Sequence, residues 1–114
     1  MKTIIYLAPL KGVTDKTFRN AFVKHFGGID SAIAPFVKLA DSESKIKSLS
    51  PALSPGLRTV PQVLTKSPDE FLSLAQKLKE YGCDEVNWNL GCPFAMAVKR
   101  GEGAAMLQYP EQIV

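Results

Sequence analysis

The chain has 114 residues, 46% of them hydrophobic and 22% charged, with a formal net charge of +3. That size and balance suit one globular domain and exclude a disordered tail, a collagen-like repeat and a disulfide-stapled miniprotein. No apolar run reaches the roughly 20 residues of a membrane helix, so no membrane partner is expected. The mild positive charge permits a nucleic-acid partner without requiring one. The two cysteines, Cys83 and Cys92, lack metal-ligand spacing. Their simplest setting is a reducing, cytoplasmic one.

The first segment, Thr3–Ala8, reads as a buried strand. Pro9 and Lys11 cut its apolar run before a secretory leader could form. A helix follows over Asp15–Phe26, with Phe18, Ala21, Phe22 and Phe26 on one face, Thr14 or Asp15 as cap, and Gly27-Gly28 as stop. Ile29–Ala34 is the second strand. A short helix is expected near Ser42–Leu49, before a loop enforced by Pro51, Pro55 and Gly56. Thr59–Leu64 is the third strand.

The clearest helix spans Ser67–Tyr81. Ser67 and Glu70 have capping-box spacing, Pro68 sits at the first helical position, and Gly82 ends it. Phe71, Leu74, Ala75 and Leu78 form its apolar stripe. Glu85–Leu90 is the fourth strand, and Pro110–Val114 reads as the opening of a fourth helix that is cut short.

Strand starts at positions 3, 29, 59 and 85 are spaced by 26, 30 and 26 residues. This β-loop-α repeat calls for parallel strands with right-handed crossovers. A TIM (β/α)8 barrel has eight such units in about 250 residues. The expectation is therefore an α/β fold: the first half of a TIM barrel, four parallel strands with intervening helices, truncated from a protein at least twice as long.

In such a barrel, chemistry sits where strands end and loops begin. Asn87 and Asn89 alternate with Val86, Trp88 and Leu90, which puts both amides on one strand face. They either meet a polar ligand or bond neighbouring strands. Gly91 and Pro93 hold Cys92 at the strand top. A thiol there can give a proton, act as a nucleophile once ionised, or simply fill space. Gln62 ends its strand with an amide that reaches either the barrel mouth or a loop. Lys99 and Arg100 either meet phosphate or face water. Cys83 reads as core filler, His25 as a solvated helix residue, and Trp88 as packed between strand and helix. Gly101-x-Gly103 is too short for a dinucleotide fingerprint.

Together these strand ends resemble the tRNA-dihydrouridine synthase family. The matching stretches are Ala8-Pro9-Leu10-x-Gly12-Val13-Thr14-Asp15-x-x-Phe18-Arg19, Pro61-Gln62-Val63, Asn89-Leu90-Gly91-Cys92-Pro93, and Lys99-Arg100-Gly101-x-Gly103-Ala104-Ala105-x-Leu107. The resemblance implies an FMN-dependent oxidoreductase that reduces the C5–C6 bond of uridines in tRNA, with NADPH as reductant. Residues 1–114 would be the N-terminal half of its catalytic barrel. By position, Pro9, Leu10 and Lys11 would line the flavin and Gln62 would bond its ring edge. Asn89 would hold the uracil, and Cys92 would deliver a proton to C5 while hydride reaches C6. Lys99 and Arg100 would lie near the tRNA backbone.

Leu10 stands where the family usually has Met, and Asn87 where it often has Asp. The family's later Lys, His and Arg, its FMN phosphate loops and its helical tRNA-binding domain fall outside these residues, so the chain alone should hold FMN poorly. Two other readings stay open. One is a small-molecule flavin oxidoreductase of the dihydroorotate dehydrogenase type. The other is a non-catalytic half-barrel module that pairs its open edges. The sequence leaves the oligomeric state open.

Overall fold

Every strand pair is parallel, as the repeat requires. A computed structural model describes residues 1–114. Its elements in chain order are β1 (Tyr6–Leu7), α1 (Lys16–His25), β2 (Ser31–Ile33), α2 (Glu43–Lys47), β3 (Arg58–Val60), β4 (Gln62–Val63), α3 (Pro68–Glu80), β5 (Asn87–Trp88) and α4 (Ala95–Lys99). Short 3-10 turns occupy Pro51–Leu53, Gly103–Gln108 and Pro110–Gln112.

The single four-stranded sheet is corrected to three strands plus two, in the orders β1-β2-β3 and β4-β5, with every pair parallel. The expected third strand is divided at Pro61, which has no N–H to give to a ladder. Its carbonyls still serve both sides. Val60 and Gln62 accept from Ala34 and Val37, while Pro61 and Val63 accept from Asn87 and Asn89. The run 58–63 therefore joins the two sheets, and the strands lie side by side in chain order.

The first strand is also corrected. The strand is only Tyr6–Leu7, on the edge of its sheet, with Ile5 O accepting from Asp30 N and Ser31 N just before it, and Ile4, Ile5 and Tyr6 are exposed. The apolar stripe of α1 is open as well. Phe26 is 64% exposed, whereas Arg19, on the same helix, is only 2% exposed. Phe18, Phe22 and Phe26 stack on one another instead, with ring centroids 6.1 and 5.2 Å apart.

The main core lies under α2 and α3, where Ala34, Val37, Ile46, Leu49, Val63, Leu74, Leu78 and Cys83 cluster. Helix α3 follows its sequence signals closely. Ser67 Oγ accepts from Glu70 N at 3.3 Å. The return arm of the capping box runs through Thr65, whose hydroxyl accepts from Ser67 N at 3.1 Å and donates to Glu70 Oε2 at 2.6 Å. After Gly82, Cys83 N donates to Leu78 O and ties the chain back to the helix. The segment Pro110–Gln112 is a single 3-10 turn, and α4 is a short helix that the sequence reading did not single out.

Candidate active site

A cavity of about 330 Å³ opens at the C-terminal ends of the strands. It brings together Pro9, Leu10 and Lys11 after β1, Gln62 on β4, and Asn89 and Cys92 after β5. Pro35, Phe36 and Phe94, which the sequence did not single out, add apolar wall. Lys99 lies outside it. Arg100 lines a smaller adjoining cavity of about 140 Å³, which shares Lys11, Phe36, Phe94 and Cys92 with the first.

The loop after β1 is braced from within. Gly12 takes φ of +79°, a backbone state that side chains resist. Thr14 Oγ1 accepts from Leu10 N at 2.8 Å and donates to Leu10 O at 3.3 Å. Arg19 Nη1 donates to Thr14 O at 2.8 Å, while its Nε has no partner. Burial lowers the Arg19 pKa, and the Asp15 charge opposes that shift. Asp15 caps α1 through Phe18 N at 2.8 Å. The Gly12-Val13-Thr14-Asp15 and Arg19 positions thus hold the turn that carries Pro9, Leu10 and Lys11. The Lys11 ammonium stands over the Phe36 ring, 5.2 Å from its centroid.

A chain of amides crosses the cavity floor. Gln62 Nε2 donates to Asn87 Oδ1 at 2.8 Å, and Asn89 Nδ2 donates to Gln62 Oε1 at 2.8 Å. Asn89 Oδ1 then accepts from Gly91 N at 3.0 Å and Cys92 N at 2.8 Å. Of the two roles open to these amides, bonding to the neighbouring strand is present. An amide has two N–H donors, so Asn89 and Gln62 each keep one that makes no bond to this chain. Cys92 is 6% exposed and packs with Leu64 and Ala97, so it also fills space.

The silent end is as expected. Cys83 is buried in the main core, its thiol donating to Leu49 O at 3.6 Å. Burial, then the nearby Asp84 charge, pushes its pKa up. His25 is exposed. Trp88 packs on Phe71, with centroids 5.7 Å apart, and its indole N–H donates to Thr65 O at 2.9 Å.

The family model described as dihydrouridine synthase (Dus) matches residues 6–114. The chain belongs to that family. Among curated relatives, the tRNA-dihydrouridine synthase B of Pasteurella multocida is 30% identical over 115 residues, covering 99% of this chain and 34% of the relative. The Vibrio parahaemolyticus protein of the same name is 32% identical over 113 residues, covering 96% and 34%. A tRNA-dihydrouridine(16) synthase of Neisseria meningitidis serogroup A is 28% identical over 121 residues, covering 98% and 36%. The chain spans about a third of the length of these relatives. For this dihydrouridine synthase family member, the α/β fold with parallel strands agrees with a partial barrel domain. No helix is long and apolar enough to cross a membrane.

Proposed function

We propose that residues 1–114 are the cysteine-bearing half of an FMN-dependent tRNA-dihydrouridine synthase barrel, acting in the cytoplasm with NADPH as reductant. The observation that carries this reading is the meeting of Cys92, Asn89, Gln62 and the Pro9–Lys11 loop around one cavity. Its volume of about 330 Å³ falls at the lower end of small-molecule sites. The residues present fit a planar, partly polar ring. Pro9, Leu10, Phe36 and Phe94 offer apolar walls, and Gln62 offers an amide with a spare donor. FMN, when bound, supplies the hydride.

The chain's own residues do the rest. Asn89 uses its spare N–H to hold a uracil carbonyl, while its carbonyl oxygen fixes the Cys92 backbone. Cys92 Sγ gives the proton to C5, quenching the negative charge left by hydride addition at C6. The uridine must leave its stack to reach the cavity. Lys99 and Arg100 contact tRNA phosphates, so binding weakens as salt rises.

The test is the dihydrouridine content of tRNA from cells that lack their own synthases and express the full-length protein carrying these residues. Restored dihydrouridine supports the reading. A flavin-loaded protein that leaves tRNA unchanged but interconverts dihydroorotate and orotate overturns it.

A further inference from the structure

The segment that follows α4 makes an unusually close approach to the backbone and Cβ of Cys92. Gly103 has φ of +60°, and a Cβ placed there would lie 2.7 Å from Cys92 O, 2.9 Å from Cys92 Cβ and 3.1 Å from Cys92 N. Two of these atoms are backbone, so they cannot swing aside as a flexible side chain would. Ala104 N donates to Cys92 O at 3.1 Å and closes the contact. Residues 103–104 are therefore laid directly against Cys92.

What holds that segment down is a part-buried ion pair. Glu102, only 7% exposed, meets Lys38 with Nζ to Oε2 at 2.6 Å. The partners are 64 positions apart. Lys38 follows Val37, which bridges to Val63 beside Gln62, so the pair ties the segment to the sheet that floors the cavity. Glu102 N also donates to Ala97 O at 2.9 Å, and Met106, fully buried, anchors the far end. Glu102 is the more deeply buried partner, so removing the Lys38 ammonium leaves its carboxylate short of its counter-charge, at a cost moderated by the solvent that reaches Lys38.

We propose that Lys38, Glu102 and Gly103 form a clasp that positions the Cys92 thiol, the ion pair holding the glycine against the cysteine. Asn89 Oδ1 holds Cys92 through its N–H, and residues 103–104 hold it through its carbonyl and Cβ, with Lys38 and Glu102 lining the smaller cavity beside the thiol. The three are positioning residues: they act through Cys92. Their catalytic relevance rests on the reading of Cys92 as proton donor, whereas their hold on the thiol does not.

The experiment is alkylation of the 114-residue chain with iodoacetamide, the rate at each cysteine read by peptide mass spectrometry. Cys83, buried in the separate main core, reports global opening within the same sample. Gly103→Ala and Lys38→Met are expected to raise the Cys92 rate by about tenfold or more, with the Cys83 rate unmoved, as a local opening requires. Lys38→Arg, which keeps the charge, is expected to return the Cys92 rate to near wild type. Rates at both cysteines rising together, or no change at Cys92 in Lys38→Met, overturns the clasp. Should Gly103→Ala fail to fold, the two Lys38 variants decide alone. A clasp that fails here leaves the activity test of Cys92 untouched, and the reverse also holds.

Discussion

Replacing Gln62 with Leu removes the central link of the amide chain. Asn87 Oδ1 loses its donor and Asn89 Nδ2 loses its acceptor, both bonds being 2.8 Å long. Each orphaned group costs about 1–3 kcal/mol when buried. Both asparagines are half-buried, so water reaches them in part and the low end applies. The sum is about 2 kcal/mol for Gln62→Leu, against about 1 kcal/mol for Asn87→Ala, which breaks a single side-chain bond. In the double variant only Asn89 Nδ2 is left without its partner, so it should cost about 1 kcal/mol and fall short of additivity by about 2 kcal/mol. Urea unfolding followed by the fluorescence of Trp88, the single tryptophan, measures all three. At a slope of about 2 kcal/mol per molar, Gln62→Leu should lower the midpoint by about 1 M. A shift under about 0.25 M, or strict additivity, would refute the network.

Other outcomes follow from the packing and the charges. Leu78→Ala, at a fully buried core position, should cost about 2–5 kcal/mol in the same assay, while Phe26→Ala, on the open face of α1, should stay within about 0.5 kcal/mol. Burial opposes ionisation of Asp41, but hydrogen bonds from the Lys45 side chain and the Lys38 N–H outweigh it and hold its pKa below the ordinary carboxylate value. A lowered folded-state pKa gives stability that is present above the unfolded value and lost on acidification, so the chain should weaken below about pH 4, and Asp41→Asn should flatten that limb of a stability–pH curve. The raised pKa of Cys83 works the other way: stability should decline above about pH 8.5, and Cys83→Ala should remove that decline. Mixed with FMN, the 114-residue chain should retain little flavin after gel filtration; a stoichiometric yellow complex would show that these residues alone suffice.

Helix α3 was legible because its signals are local. A capping serine, a proline at the first turn and a terminal glycine all lie within the element they define. Pro61 carried the break between the sheets, but a proline in an apolar run does not say whether the strand bends, ends or serves two partners. Periodicity marked a stripe on α1 without saying what covers it, and there the buried residue proved to be Arg19. Alternation placed Asn87 and Asn89 on one face, yet their partner depended on the register Gln62↔Asn87, which is a tertiary fact. The Lys38–Glu102 pair left no local pattern, since only folding brings residues 64 positions apart together. The cavity itself was readable because strand ends in a parallel fold converge wherever the loops begin.

The most direct measurement is single-turnover reduction of tRNA uridine by the full-length protein with Cys92→Ala, flavin pre-reduced and tRNA saturating. Loss of a positioned general acid should slow dihydrouridine formation by about 100-fold or more, with tRNA affinity unchanged. Unchanged turnover with Cys92 replaced would contradict the assignment of the proton donor.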